Sequence, residues 1–211
     1  MDASIVRDAG LILAGYLIGS IPMGVIIAML SGGRDPRTVG SGRIGGTNAL
    51  RAMGPARGLA VGLLDIAKGG VPVLGARLAG ADPLVEALVG AAAVLGASRS
   101  LYLRFQGGRG VATGIGAMLI IQPLVIPLAA PIFFGVIALS RYVSLGSLIG
   151  SAAAAALLAL LVAAGASRPI SLVYGFLAVV LIWLAHADNI QRLLQGRERK
   201  LSFGERDSSS S

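Results

Sequence analysis

Long apolar runs, separated by short polar loops, constrain this chain more than any other feature. Seven stretches are rich in apolar residues, namely 9–30, 59–79, 84–96, 111–121, 124–139, 143–165 and 170–185. A helix needs about 20 such residues to cross a bilayer, so the third, fourth and fifth runs either cross with help from their flanking loops or re-enter. Pro123 predicts a turn near Gln122 that separates the fourth run from the fifth. We expect an all-α polytopic membrane protein of about seven transmembrane helices, with five or six as the alternative.

The composition agrees with a membrane environment for these runs. Hydrophobic residues make up 55% of the 211-residue chain, the mean hydropathy is +0.81, and only 13% of residues are charged. Soluble domains carry about twice that share of charge. The chain also has 31 glycines, and GxxxG spacings begin at Gly15, Gly58, Gly110 and Gly146. We interpret these pairs as helix-packing contacts, because small residues let helix backbones approach closely in lipid.

Several classes of site are excluded by what the sequence lacks. It has no cysteine, so disulfides, thiolate nucleophiles and cysteine metal sites are excluded. With a single histidine and scattered carboxylates, we predict no metal site and no cofactor. The net charge of +8 does not indicate nucleic-acid binding, because the arginines lie in short loops between apolar runs rather than on one basic face.

The placement of the cations predicts an orientation in the membrane. With seven crossings, 14 of the 18 cations fall on one side, and only Arg7, Arg77 and Arg168 fall on the other. Lysine and arginine concentrate in cytoplasmic loops. We therefore expect an outside N-terminus, an inside C-terminus and cytoplasmic loops that carry the polar motifs.

The first polar loop contains the segment VGSGRIGGTNALRAMG, residues 39–54. Its Gly40, Gly42 and Gly45 match GxGxxG, but a dinucleotide site needs a preceding strand and a βαβ unit, and here a membrane helix precedes the motif. Backbone amides, hydroxyls and the guanidinium groups of Arg43 and Arg51 are instead the groups from which phosphate sites are built. An ordinary flexible loop is the alternative.

Two further polar segments and one buried pair could carry chemistry. FQGGRGVATGIG, residues 105–116, places glycines around Arg109 just before a helix whose N-terminus favours an anion, with a simple interhelical turn as the alternative. HADNIQRLLQGRERK, residues 186–200, puts His186 and Asn189 on one helix face. Taken alone, this segment is better interpreted as a helix cap followed by a basic helix on anionic lipid. The second run contains Asp65 and Lys68 three residues apart, and this spacing predicts a structural ion pair at membrane depth, with substrate contact as the alternative.

In order and spacing, these segments resemble the bacterial acyl-phosphate:glycerol-3-phosphate acyltransferases, integral membrane enzymes of phospholipid synthesis. The resemblance runs from GSIPMG (19–24) through GSGRIGGTN, LLDIAKGGVPV, GGRGVAT and RYVSLGS to HADNI and GRE (196–198). It implies transfer of an acyl chain from acyl phosphate to the 1-hydroxyl of glycerol 3-phosphate, giving lysophosphatidate and phosphate. It also implies location in the bacterial inner membrane, with membrane lipids and the acyl-phosphate-producing enzyme as partners.

The resemblance assigns roles residue by residue. It implies five catalytic residues: Ser41, Arg51, Arg109, His186 and Asn189. It implies that ten others bind substrate or phosphate: Gly42, Gly45, Thr47, Asn48, Gly107, Gly108, Gly110, Thr113, Arg141 and Ser144. We expect residues 1–203 to form a single membrane acyltransferase domain and residues 204–211 to form a disordered tail.

The chain departs from the family pattern at several positions. The family usually has other residues in place of Arg43, Gly46, Ala97, Gln106, Arg109 and Ala187. Arg109 stands for a lysine, which it matches in charge but not in shape, while Ala97 and Gln106 remove cationic character. Two alternatives to the acyltransferase stay open. One is a non-catalytic relative that binds lipid phosphate, and the other is a transporter of a small anion or lipid, against which the absence of clear inverted repeats argues.

Overall fold

The computed structural model of the protein describes residues 2–201, which form ten α-helices, two short 3-10 turns and no strand. The helices are α1 (Ala3–Ser20), α2 (Met23–Leu30), α3 (Gly46–Met53), α4 (Pro55–Leu78), α5 (Pro83–Ser98), α6 (Val111–Ile121), α7 (Val125–Ser140), α8 (Val143–Ala163), α9 (Ser171–Ala185) and α10 (Ala187–Leu194). The all-α prediction is confirmed. The predicted tail at 204–211 lies outside the described residues.

Each predicted apolar run overlaps one apolar helix, except the first run, which overlaps both α1 and α2. Four of them are long and apolar enough to cross a membrane by length and composition: α1, α4, α5 with its following turn, and α8. α9 and α10 pass the same test only as a pair, which bends by 61° between them. α6 and α7 are apolar but have 11 and 16 residues. α6, α7 and α9 are therefore each shorter than a straight crossing needs.

The first predicted run differs from the structure because it is broken. The helix stops before Pro22, which has no N–H with which to continue the helical hydrogen bonds. At this break the carbonyl of Ile21 accepts a hydrogen bond from Nζ of Lys68, 3.1 Å away. Lys68 also pairs with Asp65 at 2.9 Å, and both residues are buried. The predicted ion pair in α4 is confirmed, and it ties α4 to the break between α1 and α2.

Glycines let pairs of helices approach until their backbones touch. A side chain at Gly19 would collide with the backbone of Ala93 in the α1–α5 crossing, and one at Gly69 would collide with the backbone of Thr113 in the α4–α6 crossing. The packing interpretation is therefore confirmed for the GxxxG pair in α1, since Gly15 also lies against the backbone of α5. Gly62 differs, because it faces open space beside the cavity described next.

Candidate active site

A cavity of about 590 Å³ opens where the three predicted motif segments meet. The first loop and α3, the wall of α4, the glycine loop before α6, the start of α8, and the chain from the end of α9 to residue 199 all contribute to it. Five arginines line it, namely Arg43, Arg51, Arg109, Arg192 and Arg199. Segments that are far apart in the sequence thus form one strongly cationic site.

The side chain of Asn48 holds the first loop together by hydrogen bonds to its backbone. Its side chain is buried, and its Nδ2 donates to the carbonyls of Pro36 at 2.6 Å, Arg43 at 2.8 Å and Val39 at 3.0 Å. Its Oδ1 accepts from the amide of Ser41 at 3.1 Å. All the hydrogen-bonding groups of this amide are thus used by the backbone. Asn48 therefore shapes the loop that presents the neighbouring polar side chains.

Of the other predicted residues in this segment, one lies in a turn and three line the cavity. Gly42 has a φ of +70° and lies in the turn, where its amide donates to the carbonyl of Val39. Ser41, Gly45 and Thr47 line the cavity. We predicted this segment as part of a polar loop, but residues Gly46–Met53 form α3, which carries Thr47 and Arg51.

Arg51 lies on α3 at the exposed edge of the cavity, and no carboxylate within the described residues pairs with it. Partial desolvation lowers the pKa of Arg51, and the positive charge of Arg199 lowers it further, while Glu198 raises it. An arginine stays protonated under these conditions. Arg51 therefore brings an uncompensated positive charge to the site.

The glycine loop fits closely against the end of α5. The amide of Gly108 donates to the carbonyl of Ala97 at 2.8 Å, and a side chain at Gly107 would come within 2.5 Å of that carbonyl oxygen. Gly110 has a φ of +76° and directly precedes α6. Gly108, Gly110 and the buried Thr113 line the cavity, whereas Gly107 supports the loop from behind.

Arg109 spans the gap between the glycine loop and α10. Its Nη1 and Nη2 donate to the two carboxylate oxygens of Asp188 at 2.8 and 3.0 Å, and Nη1 also donates to the carbonyl of Ala185 at 2.7 Å. Ala185 is the last residue of α9, so Arg109 caps that helix end and holds α10 at the same time. Burial opposes ionisation of Asp188, but hydrogen bonds from Arg109 and Arg192 outweigh it and lower the pKa of this carboxyl.

His186 follows α9 at the bend and is 1% exposed. Its Nδ1 lies 2.8 Å from the carbonyl oxygen of Ile182. Because a carbonyl can only accept, Nδ1 carries the proton, and Nε2 of the neutral ring is an acceptor. Burial lowers the pKa of His186 to about 4, although the hydrogen bond with the Ile182 carbonyl opposes it. The positive charge of Arg109 lowers the pKa further, and Asp188 and Glu198 raise it by less. The ring is therefore neutral at physiological pH.

Glu198 joins α8 to α10 and was not among the predicted site residues. Its Oε1 accepts from Asn189 at 2.6 Å and from Ser144 at 2.9 Å, and its Oε2 accepts from Arg192 at 2.8 Å. The side chain is only 7% exposed. Burial raises its pKa, but these three donors outweigh burial, so the pKa of Glu198 is lowered. The GRE match at 196–198 was the available signal for this residue.

Arg141 lies apart from the cavity that its predicted partner Ser144 lines. It has a φ of +63° between α7 and α8. Its carbonyl accepts from the amide of Leu201, and its Nε donates to the carbonyl of Leu201.

Asn189 is buried beside Glu198, and its Oδ1 has no hydrogen-bond partner. Within residues 2–201, no group of three or more histidine, cysteine or carboxylate residues is arranged to hold a metal ion.

A second cavity of about 270 Å³ adjoins the cationic one, between α6, α7, α8 and α9. Its wall is apolar apart from Ser147, Ser151 and Tyr174, and the hydroxyl of Tyr174 already donates to the carbonyl of Gly114 at 2.7 Å. The two cavities share five lining residues: Val111, Ile115, Phe133, Phe134 and Ser147. A cationic chamber thus lies directly beside an apolar one.

Comparison with known proteins identifies the family. The family model described as glycerol-3-phosphate acyltransferase matches residues 9–196. The glycerol-3-phosphate acyltransferase of Thermus thermophilus is 44% identical over 196 residues, covering 92% of this chain and 94% of the relative. That of Geobacter sulfurreducens is 45% identical over 186 residues, covering 88% and 93%.

Solved structures agree with these sequence matches. The crystal structure of PlsY (YgiH), an integral membrane glycerol 3-phosphate acyltransferase, in its glycerol 3-phosphate form superposes with a TM-score of 0.84 at 36% identity, over 93% of this chain and 96% of that one. Its lysophosphatidic acid form gives 0.82 at 34% identity, with the same coverage. This multi-pass membrane protein therefore belongs to the glycerol-3-phosphate acyltransferase family.

Proposed function

We propose that this protein transfers an acyl chain from acyl phosphate to the 1-hydroxyl of glycerol 3-phosphate, giving lysophosphatidate and inorganic phosphate. The observation that carries the proposal is the adjacency of the two cavities. An acyl phosphate has a long apolar tail and a charged phosphate, and it needs an apolar wall directly beside a cationic one. Glycerol 3-phosphate needs only the cationic chamber. The solved relatives in glycerol 3-phosphate and lysophosphatidic acid forms support this acceptor and this product.

The reaction requires little covalent chemistry from the protein. The acceptor hydroxyl attacks the carbonyl carbon of the acyl phosphate, a carbon–oxygen bond to glycerol forms, and the bond from that carbon to the phosphate oxygen breaks. The phosphate leaves with the bonding electrons. The hydroxyl proton passes to Nε2 of neutral His186 or to the leaving phosphate. Most of the rate then comes from holding two anions together and neutralising their charge.

The roles that we propose for individual side chains follow from their positions. Arg51 binds a substrate phosphate, because it reaches the cavity edge without a carboxylate partner. The hydroxyl of Ser41 aligns the acyl carbonyl or the attacking hydroxyl. Asn189 has a buried, unpartnered Oδ1 and orients the acceptor. Asn48 and Gly42 act through the shape of the first loop rather than by touching substrate.

We further propose that the protein resides in the bacterial inner membrane, with its N-terminus outside and its C-terminus in the cytoplasm. The cations of the three motif segments support this orientation, because they gather at one end of the helices and positive residues concentrate inside. The donor then reaches the site from the cytoplasmic enzyme that produces acyl phosphate. The acyl product leaves into membrane lipid.

The test is an assay of purified protein in detergent with palmitoyl phosphate and glycerol 3-phosphate. We expect lysophosphatidate and phosphate to appear in equal amounts without added metal or nucleotide. Arg51→Ala should raise KM for glycerol 3-phosphate roughly 10- to 150-fold, the loss of one charge-assisted contact of about 1.5–3 kcal/mol. Arg168→Ala, on the opposite side by the loop count, should match the wild type. Strict dependence on acyl-CoA, or activity lost in EDTA and restored by a divalent ion, would contradict the proposal.

A further inference from the structure

The arginines of the cavity differ in whether their guanidinium groups are already paired with carboxylates of the protein. Arg109 has both ends of its guanidinium fork on Asp188 and a further bond to the carbonyl of Ala185. Arg192 donates to Asp188 at 3.1 Å and to Glu198 at 2.8 Å. A bidentate pair of this kind satisfies most of the donors of an arginine. Arg109 therefore holds α10 in place, and Arg192 joins α10 to the segment that carries Glu198. Little of the charge of either arginine is free for a substrate.

Arg43 lies on the same side of the cavity without such a partner. It is half-buried, it lines the cavity, and none of the carboxylates within residues 2–201 forms an ion pair with it. Its guanidinium makes one long contact, from Nη1 to the carbonyl of Gly107 at 3.4 Å. Its backbone is fixed, because its carbonyl accepts from Asn48 at 2.8 Å. The backbone of Arg43 is thus fixed, while the positive charge of its guanidinium group has no carboxylate partner.

The surroundings of Arg43 are electrostatically unfavourable for a free cation. Burial lowers the pKa of Arg43, and the positive charges of Arg109, Arg99 and Arg192 lower it further, with only Asp188 acting in the opposite direction. Arginine does not lose its proton in response. The unpaired charge of Arg43 is instead neutralised when an anion binds at its guanidinium group.

We infer that Arg43, rather than Arg109, is the cation that binds substrate phosphate at the glycine-loop side of the cavity. Arg109 is then a positioning residue, whose task is to hold α10 and the end of α9. Arg43 bridges the first loop to the carbonyl of Gly107, so the phosphate that it binds sits between the first loop and the glycine loop. The inference rests on the proposed function, because both proposed substrates carry a phosphate group.

Two phosphates could occupy this position, that of glycerol 3-phosphate and that of the acyl donor, and the same chemistry recognises both. Arg51 lies on α3 at the exposed edge of the cavity, whereas Arg43 reaches the carbonyl of Gly107 in the glycine loop. The cavity therefore has two cationic regions for two phosphate-bearing substrates. Binding measurements with one ligand of each kind assign Arg43 to one of them.

The experiment measures binding rather than turnover, so that it does not depend on catalysis. Glycerol 3-phosphate and decyl phosphate are titrated by calorimetry into detergent-solubilised wild type, Arg43→Ala and Arg43→Lys. We expect Arg43→Ala to weaken one of the two ligands about 10- to 150-fold and Arg43→Lys to recover part of the loss. A loss confined to glycerol 3-phosphate assigns Arg43 to the acceptor, and a loss confined to decyl phosphate assigns it to the donor. Added guanidinium should partly restore binding to Arg43→Ala.

Arg34→Ala is the matched control, since Arg34 is an exposed arginine of the same loop that does not line the cavity. It should bind both ligands like the wild type. Unchanged binding of both ligands by Arg43→Ala would overturn the inference.

The double variant Arg109→Gln with Asp188→Asn removes one charge of each sign, and we expect phosphate binding within about threefold of the wild type. A tenfold or larger loss would show that Arg109 itself binds the phosphate and would also overturn the inference. A wild type that binds phosphate through Arg43 but transfers no acyl group would contradict the proposed function alone.

Discussion

His186 shows how the environment of one residue decides its chemistry. A free histidine titrates near pH 6.5. Here burial and Arg109 lower the pKa to about 4, and the carbonyl of Ile182 fixes the proton on Nδ1. The ring is therefore held as a neutral acceptor at the bend between α9 and α10. The sequence predicts the residue and its spacing to Asn189, but neither the tautomer nor the charge state follows from spacing.

Replacing His186 tests its part in catalysis. His186→Asn keeps a donor near the position of Nδ1–H, so the bond to Ile182 can persist, but it removes the Nε2 acceptor. If His186 accepts the hydroxyl proton, kcat should fall about 100-fold or more, while KM for glycerol 3-phosphate should change little. Stopped-flow or steady-state phosphate release measures both constants. Wild-type kcat in this variant would mean that the leaving phosphate takes the proton itself.

The same lowered pKa predicts how stability depends on pH. The unfolded chain binds a proton at His186 near pH 6.5, and the folded chain does so only near pH 4. The contribution of His186 to stability is therefore fully present above pH 6.5 and is lost as the pH falls towards 4, by up to about 3 kcal/mol. Thermal unfolding in detergent between pH 7 and pH 4 should show a smaller decrease for His186→Asn than for the wild type. Parallel curves would contradict the pKa shift.

At the scale of helices, glycine contacts determine how closely α1 approaches α5. Gly19→Ala would push a methyl group into the backbone of Ala93, which cannot move aside as a flexible side chain would. We expect a loss of about 1–3 kcal/mol of stability. Gly10→Ala in the same helix is the control, since nothing lies within 4 Å of its added carbon. Thermal unfolding of both variants measures the difference, and equal melting temperatures would refute the close crossing.

Hydrogen bonds to Glu198 fix the chain that follows α10 against α8 and α10. Glu198→Ala leaves Ser144, Asn189 and Arg192 without their shared acceptor, and we expect this to cost about 1–3 kcal/mol and to expose the segment to proteolysis. Gln195→Ala, an exposed neighbour, should behave like the wild type. Limited proteolysis and thermal unfolding measure both effects. Wild-type protection of Glu198→Ala would show that other contacts hold the segment.

The elements themselves were largely predictable, because hydrophobic runs and prolines act locally. The turn at Gln122 and Pro123 is confirmed, since α6 ends at Ile121 and α7 begins at Val125. Two features were not predicted. α3 begins inside a segment whose glycines favour a loop. The bend of 61° after α9 lies where Arg109, from a distant part of the chain, donates to the carbonyl of Ala185.

At the scale of the whole molecule, the sequence predicts which segments form the site but not how their charges pair. The three motif segments were recognisable from their glycines and arginines, and they do line one cavity. Which arginine is free depends on contacts between residues far apart in sequence, such as Arg109 with Asp188, 79 positions away. Glu198 was missed as a site residue in part for the same reason, because one of its three donors is Ser144 of α8, 54 positions away.

The orientation of the molecule in the membrane can be tested with the chain as it is, because it contains no cysteine and gives no background labelling. Single cysteines at Gln106 and Gln195 lie on exposed positions of two motif segments, and one at Ala166 lies on the exposed loop between α8 and α9. If the cationic cavity faces the cytoplasm, an impermeant maleimide added to spheroplasts should label Ala166→Cys only. After the membrane is permeabilised, all three variants should react, which shows that each thiol is accessible. Labelling of Gln106→Cys or Gln195→Cys from outside would place the cavity on the opposite face, where a cytoplasmic donor could not reach it.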